Sequence, residues 1–331
     1  MDFIQFKKFF ETEPKYRLGQ AQTGLFRELI GDWQETKSLP AVLKEELNKK
    51  FPIGILAETF ESKDDNTLKA LITLEDGLKI ETVLMRHSDK RNTICVSSQF
   101  GCAMNCAFCA TGKMGFKRNL TVWEIVEQVL FFARHLKKFE ERVSGIVFMG
   151  MGEPFLNYEN VMGAIRVLND KDGFNLGARH ISISTAGIIE GIEKLAEEKL
   201  QVNLAISLHA PDNELRSKLM PINKNYSLEK VLKAVNDYVQ KTKRKVMFEY
   251  VMIRDVNDSE EQAEALAKLM KNYLYFINLI SYNPTGIFKP SSSEQIKIFK
   301  EILEKRGVAV TQRHRFGQDI EGACGQLAGK E

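Results

Sequence analysis

Hydrophobic and polar positions follow two different rhythms, and the change comes near residue 93. Beyond it, short β-branched runs recur: TICVSS (Thr93 to Ser98), GIVFMG (Gly145 to Gly150), HISIST (His180 to Thr185), VNLAISL (Val202 to Leu208), VMFEYVMI (Val246 to Ile253) and FINLIS (Phe276 to Ser281). The near-continuous apolar character of several of these predicts strands buried on both faces, as in a parallel sheet. Between them run longer stretches with apolar residues at helical spacing, among them TVWEIVEQVLFFARHLKK and SLEKVLKAVNDYVQ. Thr121 and Ser227 stand where a hydroxyl would cap these two helices, and Asp258 or Ser259 is similarly placed before EEQAEALAKLM. Six successive βα units predict an α/β fold built on a partial (βα)6 barrel. A full eight-stranded barrel of ~250 residues would leave little chain for the N-terminus.

The first 90 residues read differently. Helical patterns (KKFFE, TGLFRELI, PAVLKEELNKKF) precede two alternating runs, TLKALITL and LKIETVLM, separated by Glu75-Asp76-Gly77. The Asp-Gly step is a hairpin signal. The expected division is an N-terminal helical and β-hairpin accessory domain over 1–90, the barrel over 91–315, and a C-terminal segment over 316–331. PSSS (Pro290 to Ser293) reads as a loop.

Composition narrows the class. With 331 residues, 44% of them hydrophobic, the chain can bury a large core. Its opening, MDFIQFKKFFETEPK, mixes charges among aromatics rather than forming a signal peptide. No run approaches the ~20 apolar residues of a membrane span. No membrane partner and a cytoplasmic location are therefore expected, where free cysteines mostly serve metals or catalysis. Lys and Arg outnumber Asp and Glu by only 47 to 44, so net charge decides nothing about nucleic acid. Two local groups could meet phosphates: Lys241, Lys243, Arg244 and Lys245, and Arg313, His314 and Arg315. For each group a solvated face is the bland alternative.

Cys102, Cys106 and Cys109 form CxxxCxxC on a loop directly after the first barrel strand. Structural zinc normally takes four protein ligands, whereas a [4Fe-4S] cluster on three thiolates keeps one iron free for an outside ligand. A zinc- or cluster-stapled RNA-binding protein without catalysis is the reading of another class. GMGEP (Gly150 to Pro154) ends the second strand with a turn that lets backbone approach a ligand, and Glu153 can receive an ammonium group.

CxxxCxxC with Phe108 before its last cysteine, placed after a first barrel strand, resembles the radical S-adenosylmethionine (SAM) superfamily. Further segments, CVSSQFGC around Cys95, FMGMGEP, ISIST, AISLHAP, LMPINK, VNDS, NLISYNP and DIEGACGQLAG around Cys324, resemble its adenine methyltransferases of 23S ribosomal RNA, the RlmN/Cfr family. Such a resemblance implies that Cys102, Cys106 and Cys109 hold the cluster, and that two S-adenosyl-L-methionine molecules are used per turnover. One methylates Cys324, and the second yields the 5′-deoxyadenosyl radical that activates the S-methyl group. Cys95 then resolves the protein–RNA adduct by pairing with Cys324, and Glu81 accepts the ring proton. Gly152, Glu153, Ser184, Ser207, Leu208, His209 and Asn283 correspond to the SAM-contacting positions. The implied substrate is adenine 2503 of 23S rRNA, with adenine 37 of tRNA for some members, and a reducing electron-donor protein is the further partner. The Pro of GMGEP favours the C2-methylating members, most like RlmN, whereas Arg315-Phe316-Gly317 has something of the C8-methylating resistance enzymes. A radical SAM enzyme acting on a protein or small molecule is a third reading. A monomer is expected.

Overall fold

The computed structural model describes residues 3–329 except positions 65, 271, 273, 314 and 315. The chain opens with helices α1 (Phe3–Phe9), α2 (Tyr16–Thr23) and α3 (Ala41–Lys50), then an antiparallel run β1 (Leu56–Glu61), β2 (Thr67–Thr73) and β3 (Lys79–Arg86). The hairpin read from Asp76-Gly77 joins β2 to β3, with Thr73 opposite Lys79 and Gly77 at φ +79°. β3 pairs antiparallel with β4 (Asn92–Cys95), so the N-terminal strands and the first barrel strand share one sheet.

A small side ribbon follows. β5 (Gln99–Gly101) and β6 (Phe116–Asn119) pair antiparallel, and the chain between them carries the three cysteines and the short helix α4 (Ala110–Lys113). The regular winding then begins: α5 (Val122–Lys137), β7 (Gly145–Phe148), α6 (Tyr158–Asn169), β8 (Ile181–Thr185), α7 (Ile189–Glu197), β9 (Asn203–Ser207), α8 (Asn213–Leu219), α9 (Leu228–Thr242), β10 (Val246–Met252), α10 (Glu260–Leu269), β11 (Tyr275–Ser281), α11 (Ser293–Lys305) and β12 (Ala309–Gln312). The order in the large sheet is β1-β2-β3-β4-β7-β8-β9-β10-β11-β12, parallel from β4 onward. Parallel strands following one another in chain order, each with a helical crossover, are the partial barrel that the sequence predicts.

All six predicted parallel strands are present, and a seventh, β12, adds to the edge. Its four residues, AVTQ, are mostly exposed, so no apolar run marks it. β1 escaped notice for the same reason, since LAETFE is an exposed edge strand.

Capping follows side-chain reach. Thr121 and Glu124 form a capping box on α5 (Glu124 N to Thr121 Oγ1 3.2 Å; Thr121 N to Glu124 Oε2 2.8 Å). Ser259, rather than Asp258, caps α10 with Gln262. Ser227 stands at the N-cap of α9 but makes no cap bond; the Leu228 amide donates instead to Asn213 Oδ1 at 2.8 Å.

The α5 face carrying Ile125, Val126, Val129 and Leu130 is fully buried. Phe6, Trp33 and Phe51 form an aromatic knot, closed by Trp33 Nε1 donating to the Phe51 carbonyl at 2.7 Å. Phe3 stacks on Trp123 of α5, with ring centroids 6.3 Å apart, which fastens the N-terminal helices to the barrel's outer layer. Among the described residues no helix is long and apolar enough to cross a membrane.

Candidate active site

Two adjoining cavities open at the C-terminal ends of the parallel strands. The first is lined by Cys102, Cys106, Cys109 and Phe108 from the cysteine loop, and by Gly150, Gly152, Glu153, Ser184, Ser207, His209 and Glu249 from the strand ends. The ribbon β5–β6 shapes its loop. Cys102 N donates to Gly115 O at 3.0 Å, and a Cβ on Gly101, whose φ is +73°, would lie 1.7 Å from that same oxygen. Only glycine closes this loop. GMGEP makes a second tight approach: Gly152 has φ +100°, and a Cβ there would meet the Gln99 Cβ at 2.5 Å.

Burial governs the chemistry of this cavity. It pushes the Cys102 thiol up to about 12 and Cys106 well above the ordinary thiol range. Such thiols stay protonated near neutrality unless a metal displaces the proton. Among the described residues, no three His, Cys, Asp or Glu side chains converge as a single-ion site. Zinc would gather its sulfurs about 2.3 Å from one point. Cys102, Cys106 and Cys109 line this one cavity together, and three thiolates fit a [4Fe-4S] cluster that keeps one iron open to an outside ligand.

Glu153 is buried and accepts from Phe155 N (3.0 Å) and Ala186 N (2.7 Å); desolvation outweighs these bonds and raises its carboxyl to about 7. His209 is buried and lowered to about 3 by burial, with the Arg216 charge adding to the effect. Its Nδ1 accepts from Val251 N at 3.1 Å, so the neutral ring carries its proton on Nε2. Phe108 packs edge-on against it, with centroids 4.7 Å apart. Leu208 lies fully buried in the core and does not line the cavity.

The second cavity lies between Cys95 and Cys324. Val83, Met85, Met149, Arg313, Phe316 and Leu327 contribute to its walls. Cys324 borders both cavities, and all five cysteines are free thiols. Cys95 is buried and pushed up to about 12 by desolvation, with the Arg313 charge pulling the other way. Cys324 is exposed where the cavities meet.

The backbone around Cys324 is tied from several directions. Asn283 Nδ2 donates to Cys324 O (3.1 Å), Ala110 N to Gly325 O (2.8 Å) and Thr111 Oγ1 to Leu327 O (2.6 Å). Asn283 thus sits at the second cavity, and its Oδ1 accepts from Gln318 Nε2 at 2.8 Å. Glu81 lies beneath the tail rather than on an exposed strand face. It is 2% exposed, pairs with Lys69 Nζ at 3.0 Å, and accepts from the Ala328 and Gly329 amides at 2.6 and 3.1 Å.

Sequence reading missed three supporting groups. Arg216 is fully buried and donates to Asn223 Oδ1 (2.8 Å) and to the Ala186 (2.7 Å) and Ser207 (3.3 Å) carbonyls, fixing two strand ends. Asn257 binds the His209 and Val251 carbonyls at 2.9 and 2.6 Å. Lys69 faces Glu81. A polar residue inside an apolar run was the available signal for Lys69; the VNDS and LMPINK segments flagged the neighbourhoods of the other two. Of the two basic groups, 241–245 precedes β10, at the end of the strands away from both cavities. Arg313 reaches the second cavity, while His314 and Arg315 lie outside the described residues.

Comparison with known proteins agrees with this arrangement. Residues 96–268 match the radical SAM superfamily. The chain is 47% identical over 322 residues to a probable dual-specificity RNA methyltransferase RlmN of Bacillus thuringiensis (strain Al Hakam), covering 96% of this chain and 89% of the relative. The RlmN of Bacillus cereus (strain AH187) matches to the same extent. A crystal structure of a radical SAM methyltransferase from Sphaerobacter thermophilus superposes with a TM-score of 0.96 at 42% identity, over 100% of this chain and 98% of that one. Shared cysteine loop, strand-end cavity and near full-length likeness together mean that the chain belongs to the radical SAM superfamily and, within it, to the RlmN family of RNA methyltransferases.

Proposed function

We propose that this chain methylates C2 of an adenine in RNA, adenine 2503 of 23S rRNA and also adenine 37 of tRNA, by carrying the methyl group on Cys324. The observation that supports this most is the position of Cys324, which borders the three-cysteine cavity on one side and the Cys95 cavity on the other. Cys102, Cys106 and Cys109 would hold a [4Fe-4S] cluster that, with bound SAM, supplies a 5′-deoxyadenosyl radical. Gly152 lets the backbone come close to that SAM, and Glu153 receives its amino group. Ser184, Ser207 and His209 line the same cavity, and Leu208 supports them from the core. Two SAM molecules are consumed per turnover.

An adenine ring carbon is a poor nucleophile toward an electrophilic methyl, which is why the carbon travels through sulfur. The nucleophile is Cys324, whose thiol is pushed up by burial and drawn back toward the thiolate by the Arg313 charge. Cys95, across the second cavity, resolves the joined protein and RNA by forming a disulfide with Cys324, and an electron-donor protein restores both thiols. Glu81 takes the ring proton, and Asn283 holds the Cys324 carbonyl while this happens. The target adenine must leave its stack to enter so enclosed a site. The N-terminal 90 residues are the part of the chain assigned to holding the rest of the RNA.

The test is mass analysis of 23S rRNA from cells with and without the protein, together with peptide mass analysis of purified enzyme after SAM treatment. Protein-dependent 2-methyladenosine and a methyl group on Cys324 are expected. 8-Methyladenosine would overturn the regiochemistry, and an unmodified Cys324 would overturn the carrier.

A further inference from the structure

Arg313 follows the edge strand β12, and its amide donates to Leu279 O at 2.9 Å, which directs the side chain inward past β11. Among the described residues its terminal nitrogens meet only thioether sulfurs: Nη1 with Met149 Sδ at 3.1 Å and Nη2 with Met85 Sδ at 3.7 Å. A guanidinium has five N–H donors and no acceptor, and thioethers are weak partners. A cation placed among weak partners is costly to hold and demands a better acceptor. Glu249 is the nearby carboxyl. Burial raises it above the ordinary carboxyl range, with the Arg313 charge pulling the other way; among the described residues its Oε1 has no hydrogen-bond partner and its Oε2 accepts from Asn278 at 2.8 Å, so it does not saturate the guanidinium. Arg313 also lines the cavity between Cys95 and Cys324, where flat or apolar walls from Phe316, Val83, Met85, Met149 and Leu327 stand beside the polar Ser281 and Asn283.

Resting on the reading above, we propose that Arg313 grips the target base itself by donating a hydrogen bond to N1 or N3 of the adenine, the two ring nitrogens that flank C2. A purine fits these walls chemically, having apolar faces and an edge of ring-nitrogen acceptors. Donation to a nitrogen beside C2 turns that carbon toward the thiols. The same bond draws electron density from C2, which favours attack there by a carbon radical, and no proton changes hands. Arg313 is thus a recognition and activating residue.

The experiment is a chemical double-mutant cycle. Wild-type, Arg313→Met and Arg313→Lys enzymes are assayed for kcat/KM on RNA carrying adenine, 1-deazaadenine or 3-deazaadenine at the target. A fourth RNA has neutral methylphosphonates beside an intact target adenine. Arg313→Met places a thioether-like chain among thioethers, so its packing is preserved. On adenine it is expected to lose on the order of 10- to 100-fold, as for loss of one good side-chain–base pair. That loss should disappear on one of the two deaza substrates and persist on the methylphosphonate RNA, with Arg313→Lys restoring part of the rate on adenine. The same loss on adenine and both deaza bases overturns the proposal, because Arg313 then acts only on the fold. A loss that vanishes on the methylphosphonate RNA also overturns it, because the partner is then a phosphate. Peptide mass analysis of the wild type separates the two levels: absence of a methyl on Cys324 sinks the underlying reading, whereas a methylated Cys324 with an additive cycle sinks the Arg313 assignment alone.

Discussion

The two cavities share a border, yet they draw on the chain in different proportions. The cysteine cavity is made mainly by one short loop and a series of strand ends, each following its strand in the chain, with Cys324, Gly325 and Leu327 of the tail closing one side. The thiol cavity joins β3 and β4 to the C-terminal tail, and Glu81 alone bonds residues 247 and 248 positions away. A pocket built locally inherits the rigidity of its sheet, whereas one closed by a distant segment depends on whatever fastens that segment.

The sharpest way to break the comparison is to remove one sulfur from each side. Cys102→Ala should abolish both 5′-deoxyadenosine formation and RNA methylation. Cys324→Ala should reduce RNA methylation to background while leaving iron and sulfide content intact, read by metal analysis beside product mass. Equal iron loss in both variants would mean that the cavities are not separable units.

Next in size is the tail's fastening. Glu81→Ala leaves Lys69 buried without its partner and frees two amides, a cost of about 3–5 kcal/mol. Denaturant titration should register it, and hydrogen exchange should accelerate at Ala328 and Gly329 while strand amides around the cysteine cavity keep their protection.

Inside the cysteine cavity, Glu153 and His209 give opposing pH dependences to the metal-free protein. Glu153, raised to about 7, binds a proton in the folded state that the unfolded state has released, so its contribution to stability is lost as pH rises from the ordinary 4.5 to 7. His209, lowered to about 3, lacks in the folded state a proton that the unfolded state holds, so its contribution is lost as pH falls below 6.5. Between pH 4.5 and 6.5 the two slopes cancel. Relative to the wild type, Glu153→Gln should add a slope of about 1.4 kcal/mol per pH unit toward lower stability in acid. His209→Gln should show the reverse slope, and two flat profiles would contradict the assignment.

The smallest effect is a control. Thr121→Ala removes one half of the α5 capping box and should cost about 1 kcal/mol, by thermal melting, without favouring either cavity.

The same contrast explains what the sequence could reveal. Parallel strands buried on both faces leave continuous apolar runs, so β4 and β7–β11 were readable to within a few residues. Cysteine spacing within one loop was equally plain. Edge strands β1 and β12 carry no such runs, because exposure removes the constraint on their side chains. The cap of α9 came from Asn213, fifteen residues away, and no local pattern announces that. The burial of Glu81 had no local signal, because its partners, Ala328 and Gly329, are brought to it only by the folded tail. Arg313 sat in a basic group read as able to meet phosphates or as a solvated face, and only the packing of β12 against β11 turns it inward.

The ties on either side of Cys324 have a mechanical consequence. With the neighbouring carbonyls at 324, 325 and 327 and the amides at 328 and 329 all held, the main chain there acts as a fixed axle. Under the proposed carrier role of Cys324, movement of the sulfur between the two cavities would fall to rotation about a single side-chain bond, a motion of picoseconds to nanoseconds. Such a shuttle would need no hinge and would run far faster than the chemical step it serves.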